Sequence, residues 1–143
     1  MVVFSYDQDD MFDFIAMQSS YVSRSMRGED GSYAGEDFAL SHDEDDVYSE
    51  CFRKCADSLA GSFLKTSSDF NFEDGFCICF PDNGVKDKVL KVVDQGFVDV
   101  LVYGTLCNWY ESCSATNLVE YCNVVQSDKL RKLWSDLFWI RNG

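Results

Sequence analysis

The sequence predicts a mainly α fold, a four-helix-type domain with one small β-hairpin. The chain has 143 residues, of which 46% are hydrophobic and 15% aromatic. That length and composition are typical of a single folded domain, residues 1–143, with a core of its own. Apolar residues recur at helical spacing in four segments, whereas apolar and polar residues alternate clearly in only one stretch, near residues 70–80. The predicted order is helix, helix, hairpin, long helix, helix.

The first helix is predicted to begin at Asp7-Gln-Asp-Asp, whose acids can cap the helix and face the positive end of its dipole. It runs to about Met26, and its apolar stripe consists of Met11, Phe14, Ile15 and Val22. Residues 28–41 follow with three glycines and no periodicity, which predicts a loop. Residues 1–40 are therefore an acidic helix plus a Gly-rich loop, a segment that could become ordered only on assembly.

The second helix has the cleanest amphipathic pattern in the chain. Ser41 or Asp43 is predicted to cap it, with acids crowding its first turn. Its predicted apolar face contains Val47, Cys51, Phe52, Cys55, Leu59, Phe63 and Leu64. Thr66-Ser-Ser-Asp is predicted to end the helical region.

A two-stranded hairpin is predicted next. Phe70 and Phe72 alternate on one side of Glu73-Asp74-Gly75, a usual hairpin loop. The second strand places Phe76, Ile78 and Phe80 on one face and Cys77 and Cys79 on the other. Pro81 ends this strand because it cannot donate to a ladder, and Asp82 or Asn83 is predicted to cap the helix that follows.

The third helix runs from about Val85 to Trp109-Tyr110 and is apolar around much of its circumference, which predicts a central position. Gly96 and Gly104 are predicted to mark places where another helix approaches closely. After a break, Ser114 or Thr116 is predicted to cap a last helix that continues to Ile140.

The seven cysteines are predicted to be packing residues. Their number is odd and no Cys-x-x-Cys pair occurs, so neither a zinc knuckle nor a thioredoxin-like motif is present. Cys51 and Cys55 fall on the apolar face of their helix, where a free thiol behaves as a small hydrophobe. Metal or disulfide chemistry is the alternative, also for Cys77 and Cys79. The lone His42 lies among acids, and no nucleotide-binding or hydrolase motif is present, so we expect no enzyme, no cofactor and no metal.

The charge is high and unevenly distributed. The net charge is −13, and residues 1–50 carry thirteen acids against Arg24 and Arg27. Such a chain will not bind nucleic acid by neutralising phosphates. The acids indicate plain solubility, a surface that repels or mimics DNA, or a basic protein partner. The run Asp43-Glu44-Asp45-Asp46 lacks the order of a calcium loop and fits the start of a helix.

The apolar runs are much shorter than the ~18 residues that span a bilayer, and no signal-peptide pattern opens the chain. We therefore expect a soluble protein made in a reducing cytoplasm, with no membrane partner.

The second half resembles the small neck proteins of tailed bacteriophages that infect gut anaerobes. The resemblance covers roughly residues 70–141 and depends on three motifs. Phe76-Cys-Ile-Cys-Phe-Pro-Asp-Asn leads into a long helix, that helix ends in Leu106-Cys-Asn-Trp-Tyr, and the last helix ends in Leu137-Phe-Trp-Ile-Arg. The first 65 residues and the less arginine-rich C-terminus depart from the pattern.

The resemblance implies a virion structural protein, a head–tail connector or adaptor subunit located in the neck and made in the host cytoplasm. Such subunits form a homo-oligomeric ring, commonly of twelve copies, below the portal protein. The ring extends the DNA channel, lets genomic DNA pass without specific binding, and docks other neck or tail proteins. Connectors of this kind are not enzymes.

Two groups of residues are predicted to serve this role. The first, predicted to line the channel or a subunit interface, is Asp43, Glu44, Asp45 and Asp46. The second, predicted to bind a partner, is Leu133, Trp134, Leu137, Phe138, Trp139, Ile140 and Arg141. The alternatives are an acidic DNA mimic that inhibits a host nucleic-acid-binding protein, a cytoplasmic regulatory domain unrelated to phages, and an enzyme.

Overall fold

The computed structural model describes residues 2–25, 40–63, 69–71, 75–80 and 84–142. These residues form four α-helices and a small antiparallel sheet, which confirms the predicted fold class. Several predicted features lie outside the described residues: the loop of residues 28–39, Leu64, the break at residues 66–68, Phe72, the turn acids Glu73 and Asp74, and residues 81–83. In the described parts of the chain, no helix combines the length and hydropathy needed to cross a bilayer.

The sheet contains the predicted two-stranded hairpin and a third strand that was not predicted. Strand β1 (Val2–Asp7) and strand β2 (Asp69–Asn71) lie on either side of β3 (Gly75–Phe80), and both pairs are antiparallel. Val2 pairs with Phe80 and Asp7 pairs with Gly75. Helix α1 (Gln8–Ser25) begins directly after β1. The Asp7 carboxylate accepts hydrogen bonds from the backbone N–H groups of Asp9 and Asp10, as predicted for a helix start.

One face of the sheet packs on the central helix α3 (Asp87–Ser112). The ring centroids of Phe4 and Phe76 lie 5.2 and 5.8 Å from the ring centroid of Phe97. Phe97 is fully buried, and Phe63 of the neighbouring helix also reaches it, at 5.7 Å. This aromatic cluster joins the sheet to the helices.

Helix α2 (Asp45–Phe63) follows a 3-10 turn (His42–Glu44). Ser41 precedes that turn but makes no side-chain cap bond, so the predicted cap is not formed by its hydroxyl. Among the described residues of the predicted apolar face, all are buried except Val47, which is exposed, while the next residue, Tyr48, is buried. Tyr48 turns inwards because its hydroxyl donates to the Gln8 carbonyl of α1.

Helix α3 begins at Asp87, later than predicted, and Lys86 at its N-cap makes no side-chain bond. Helix α4 (Thr116–Asn142) packs antiparallel on α3. Its first helical hydrogen bonds go to the Ala115 carbonyl, so neither Ser114 nor Thr116 stands at the N-cap. The reason is a tight turn before the helix, in which Ser114 adopts a φ of 58°.

Gly96 and Gly104 mark close approaches on α3, as predicted. A Cβ on Gly96 would lie 3.0 Å from Leu133 of α4. A Cβ on Gly104 would overlap both the Cys55 thiol of α2 and the Gln126 amide of α4. Helix α3 therefore lies between α2 and α4 at a distance that only a residue without a side chain permits there.

Candidate functional site

Three of the seven thiols are buried, as the predicted packing role requires. All seven cysteines are free, and Cys51, Cys55 and Cys122 are buried. Burial raises the pKa of Cys51 to about 11 and the pKa of Cys55 and of Cys122 to about 12. A thiol with such a pKa stays protonated near neutral pH and is a poor nucleophile or ligand. The Cys55 thiol lies 3.7 and 3.8 Å from two backbone carbonyls of α3.

Cys77 and Cys79 are half-buried on the face of β3 opposite to Phe76, Ile78 and Phe80, as the alternation predicted. Their cross-strand neighbours are Ser5 and Val3 on one side. Within the described residues, no group of three or more potential ligands is arranged to hold a metal ion. The side chain of His42 lies outside them.

The two acidic runs come together in the fold. Tyr48 marks the meeting point, because its hydroxyl donates to the Gln8 carbonyl at 2.5 Å and Gln8 in turn donates to the Ser49 hydroxyl. Burial raises the pKa of Tyr48, and the carboxylates of Asp9, Asp7 and Asp45 raise it further. We call the surface at these helix starts the acidic pole. It consists of Asp7, Asp9, Asp10, Asp43, Glu44, Asp45 and Asp46.

The four predicted interface acids all belong to the acidic pole. Asp43, Asp45 and Asp46 are exposed, and Glu44 is half-buried. Residues 7–13 and 43–50 together carry nine acids and no base. Sequence reasoning found both runs but had no signal for their contact, because tertiary contacts bring them together: the hydrogen bonds of Gln8 and Tyr48 and the packing of Phe12 on the Tyr48 ring.

The predicted partner surface on α4 is divided by the fold. Leu133 and Leu137 are buried in the core of the single chain, which removes them from a contact surface. Trp134 is half-buried, with its ring centroid 4.4 Å from that of Phe63. Phe138 is exposed. The side chains of Trp139, Ile140 and Arg141 lie outside the described residues.

A polar groove of about 500 Å³ opens between α2 and α4, above the second half of α3. Lys54 and Ser58 line one wall, and Asn123 and Gln126 line the other. Glu111 lies at the α3 side of the groove. The Cys107 thiol donates to the Asn123 amide oxygen at 3.5 Å, which orients that amide. Sequence analysis did not predict this groove, because its walls come from three separate helices.

The outer face of α1 was also missed. Phe14 was assigned to the buried stripe, but it is exposed together with Met17 and Tyr21, while Met11, Ile15 and Val22 are buried. Both sets recur at helical spacing, so periodicity alone could not decide which set faces the core. Helix α1 therefore has an apolar outer face as well as an apolar inner face.

The described features that could serve a function are thus the buried thiols, the acidic pole, the polar groove and the exposed apolar side chains. Comparisons of the chain with models of known families, with curated proteins and with solved structures gave no match. The function is therefore argued from these surfaces.

Proposed function

We propose that this protein is a structural subunit of a tailed-bacteriophage neck, a head–tail connector that assembles into a ring below the portal protein. In this proposal the ring extends the DNA channel and docks the next neck or tail component. The observation that carries the proposal is the acidic pole, in which two acidic helix starts meet around Tyr48. The sequence resemblance over residues 70–141 supports the same function.

The acidic pole suits a channel through which DNA must move. A surface of carboxylates repels phosphates, so a duplex close to it is not held. Exposed acids also cost the folded chain little free energy, because they stay solvated at the helix starts and interact favourably with the helix dipoles. Repeated around a ring, the pole would give a negatively charged lining.

The test is assembly of the full-length chain with and without its portal protein. We expect native mass measurement and negative-stain images to show closed rings, alone or on the portal, with the acidic pole towards the axis. A ring in which Asp43 to Asp46 face outwards would refute the channel lining. A chain that stays monomeric and does not bind the portal would refute the connector role.

The acidic pole also supports a second candidate, a DNA mimic that inhibits a basic host protein. A mimic would be a monomer or dimer, and its binding would depend on the spacing of its carboxylates. Neutralising Asp43, Glu44, Asp45 and Asp46 to Asn or Gln would then abolish capture of the basic partner. In a connector the same changes would leave ring assembly intact and slow DNA passage.

A further inference from the structure

Helix α1 carries an exposed apolar patch. Phe14, Met17 and Tyr21 are 58%, 52% and 61% exposed, and their spacing of three and four residues places them on one helix face. Large side chains such as these offer ~200 Å² each, so the patch exposes ~300 Å², comparable with the largest patch of a typical monomer. We call these three residues the α1 patch.

The rim of the α1 patch is acidic on the side nearest the start of α1. Asp10 and Asp13 are exposed and lie one helical turn before Phe14 and Met17 respectively. A partner that covers this side is therefore favoured by positive charge beside its apolar area. Two α1 patches facing each other would bring their acidic rims together, on a chain whose net charge is already −13.

A surface with these properties exists elsewhere on the same chain. Helices α3 and α4 run antiparallel, and the contact of Gly96 with Leu133 sets their register. That register brings Val92, 42% exposed, to the level of Phe138, 57% exposed. Exposed Lys88 and Lys91 lie within one turn before Val92, and exposed Lys132 lies six residues before Phe138; these three form a basic rim, while Asp94 is hydrogen-bonded to Tyr6. We call Val92 and Phe138 the α3–α4 patch.

We infer that the α1 patch of one copy docks on the α3–α4 patch of the next copy, with acidic rim against basic rim. The inference deepens the proposed ring and rests on that proposed function. The two patches differ, so the contact is heterologous, and its repetition closes a ring or continues as a filament. Two copies joined by one such contact use the α1 patch of one copy and the α3–α4 patch of the other. One patch of each kind remains uncovered.

Two variants test this pairing, since each blocks one patch at an exposed position. Phe14→Glu blocks the α1 patch and Phe138→Glu blocks the α3–α4 patch. Each variant alone is expected to raise the Kd of self-association about 30-fold or more and to run as a monomer. An equimolar mixture is expected to form a heterodimer and nothing larger, because one intact junction remains.

Val124→Glu is the matched control, an exposed apolar residue on α4 that lies ~21 Å from Phe138 along the helix. It should assemble like the wild type. Unchanged far-UV circular dichroism would show that all three variants fold. Raising the salt from 0.05 to 0.5 M should weaken wild-type assembly, because the rims are exposed charges.

The outcomes separate this inference from the proposed function. Rings that persist in both variants would overturn the pairing and leave the connector role standing. Self-association lost in Phe14→Glu but kept in Phe138→Glu would indicate an α1–α1 contact and also overturn the pairing. A wild-type chain that never assembles, alone or with the portal, would overturn the connector role and the pairing with it.

Discussion

The bundle of α2, α3 and α4 is closed at one end and open at the other. At the closed end the ring centroids of Phe63 and Trp134 are 4.4 Å apart, and Phe97 packs against Phe63. At the open end the same helices are separated by the polar groove. The facing side chains explain the difference, since aromatic rings fill the gap at one end and Ser58 and Asn123 stand across it at the other. Helix packing alone therefore does not set the width of the bundle.

The largest expected effect is at the closed end. Phe97→Ala removes a fully buried ring that contacts the rings of Phe4, Phe63 and Phe76. We expect a loss of about 3–5 kcal/mol in the free energy of unfolding, measured by urea denaturation. Val47→Ala, an exposed change beside the open end, should cost less than about 0.5 kcal/mol. Similar losses for the two variants would show that the closed end does not dominate stability.

A smaller effect is expected where the two ends meet, at Gly104. A methyl group there would overlap the Cys55 thiol and the Gln126 amide. We expect Gly104→Ala to destabilise the protein by about 1–3 kcal/mol, because overpacking outweighs the gain in helix propensity. The control is Gly61→Ala, with nothing within 4 Å of the added methyl, which should stabilise by up to about 1 kcal/mol. If both variants gained stability, the close approach at Gly104 would be disproved.

Alkaline pH offers a third test, through the buried thiols. Cys55 and Cys122 have a pKa of about 12 in the folded chain against an ordinary value of 9.0. The unfolded chain therefore loses these protons first, and stability falls as pH rises from about 9 towards 12. Each thiol contributes a slope of about 1 kcal/mol per pH unit. Cys122→Ala should remove one such contribution. The free energy of unfolding, measured under reducing conditions, should then fall less steeply between pH 9 and 11 than in the wild type.

The smallest effect is expected at the mouth of the groove. Lys54 and Glu50 form an ion pair at 3.6 Å, with side chains 66% and 69% exposed. We expect Lys54→Ala to change stability by less than about 0.5 kcal/mol, because solvent screens an exposed pair. A loss above 1 kcal/mol in thermal or chemical unfolding would mean that the open end contributes more than its contacts suggest.

The helices could be predicted because their periodicity is local. The buried face of α2 and the close approaches at Gly96 and Gly104 follow from residue spacing and residue size. Strand β1 could not be predicted in this way, because its partner β3 lies about 70 residues away and its six residues run directly into α1.

The candidate site was predictable only in part. Both acidic runs were identified from charge alone, but their proximity was not, since tertiary hydrogen bonds bring Asp43 to Asp46 close to the start of α1. Phe14 was assigned to the wrong face because α1 is apolar on two sides. Leu133 and Leu137 were assigned to a partner surface although α4 uses them to pack within its own chain.

The position of β1 at one edge of the sheet has a consequence for synthesis on the ribosome. Its partner β3 is translated about 70 residues later, a delay of roughly 4–15 s at ordinary elongation rates. During that interval Phe4 and Tyr6 have no strand to pair beside and remain open to chaperones. The nascent chain should therefore stay sensitive to protease until residues 75–80 have left the exit tunnel.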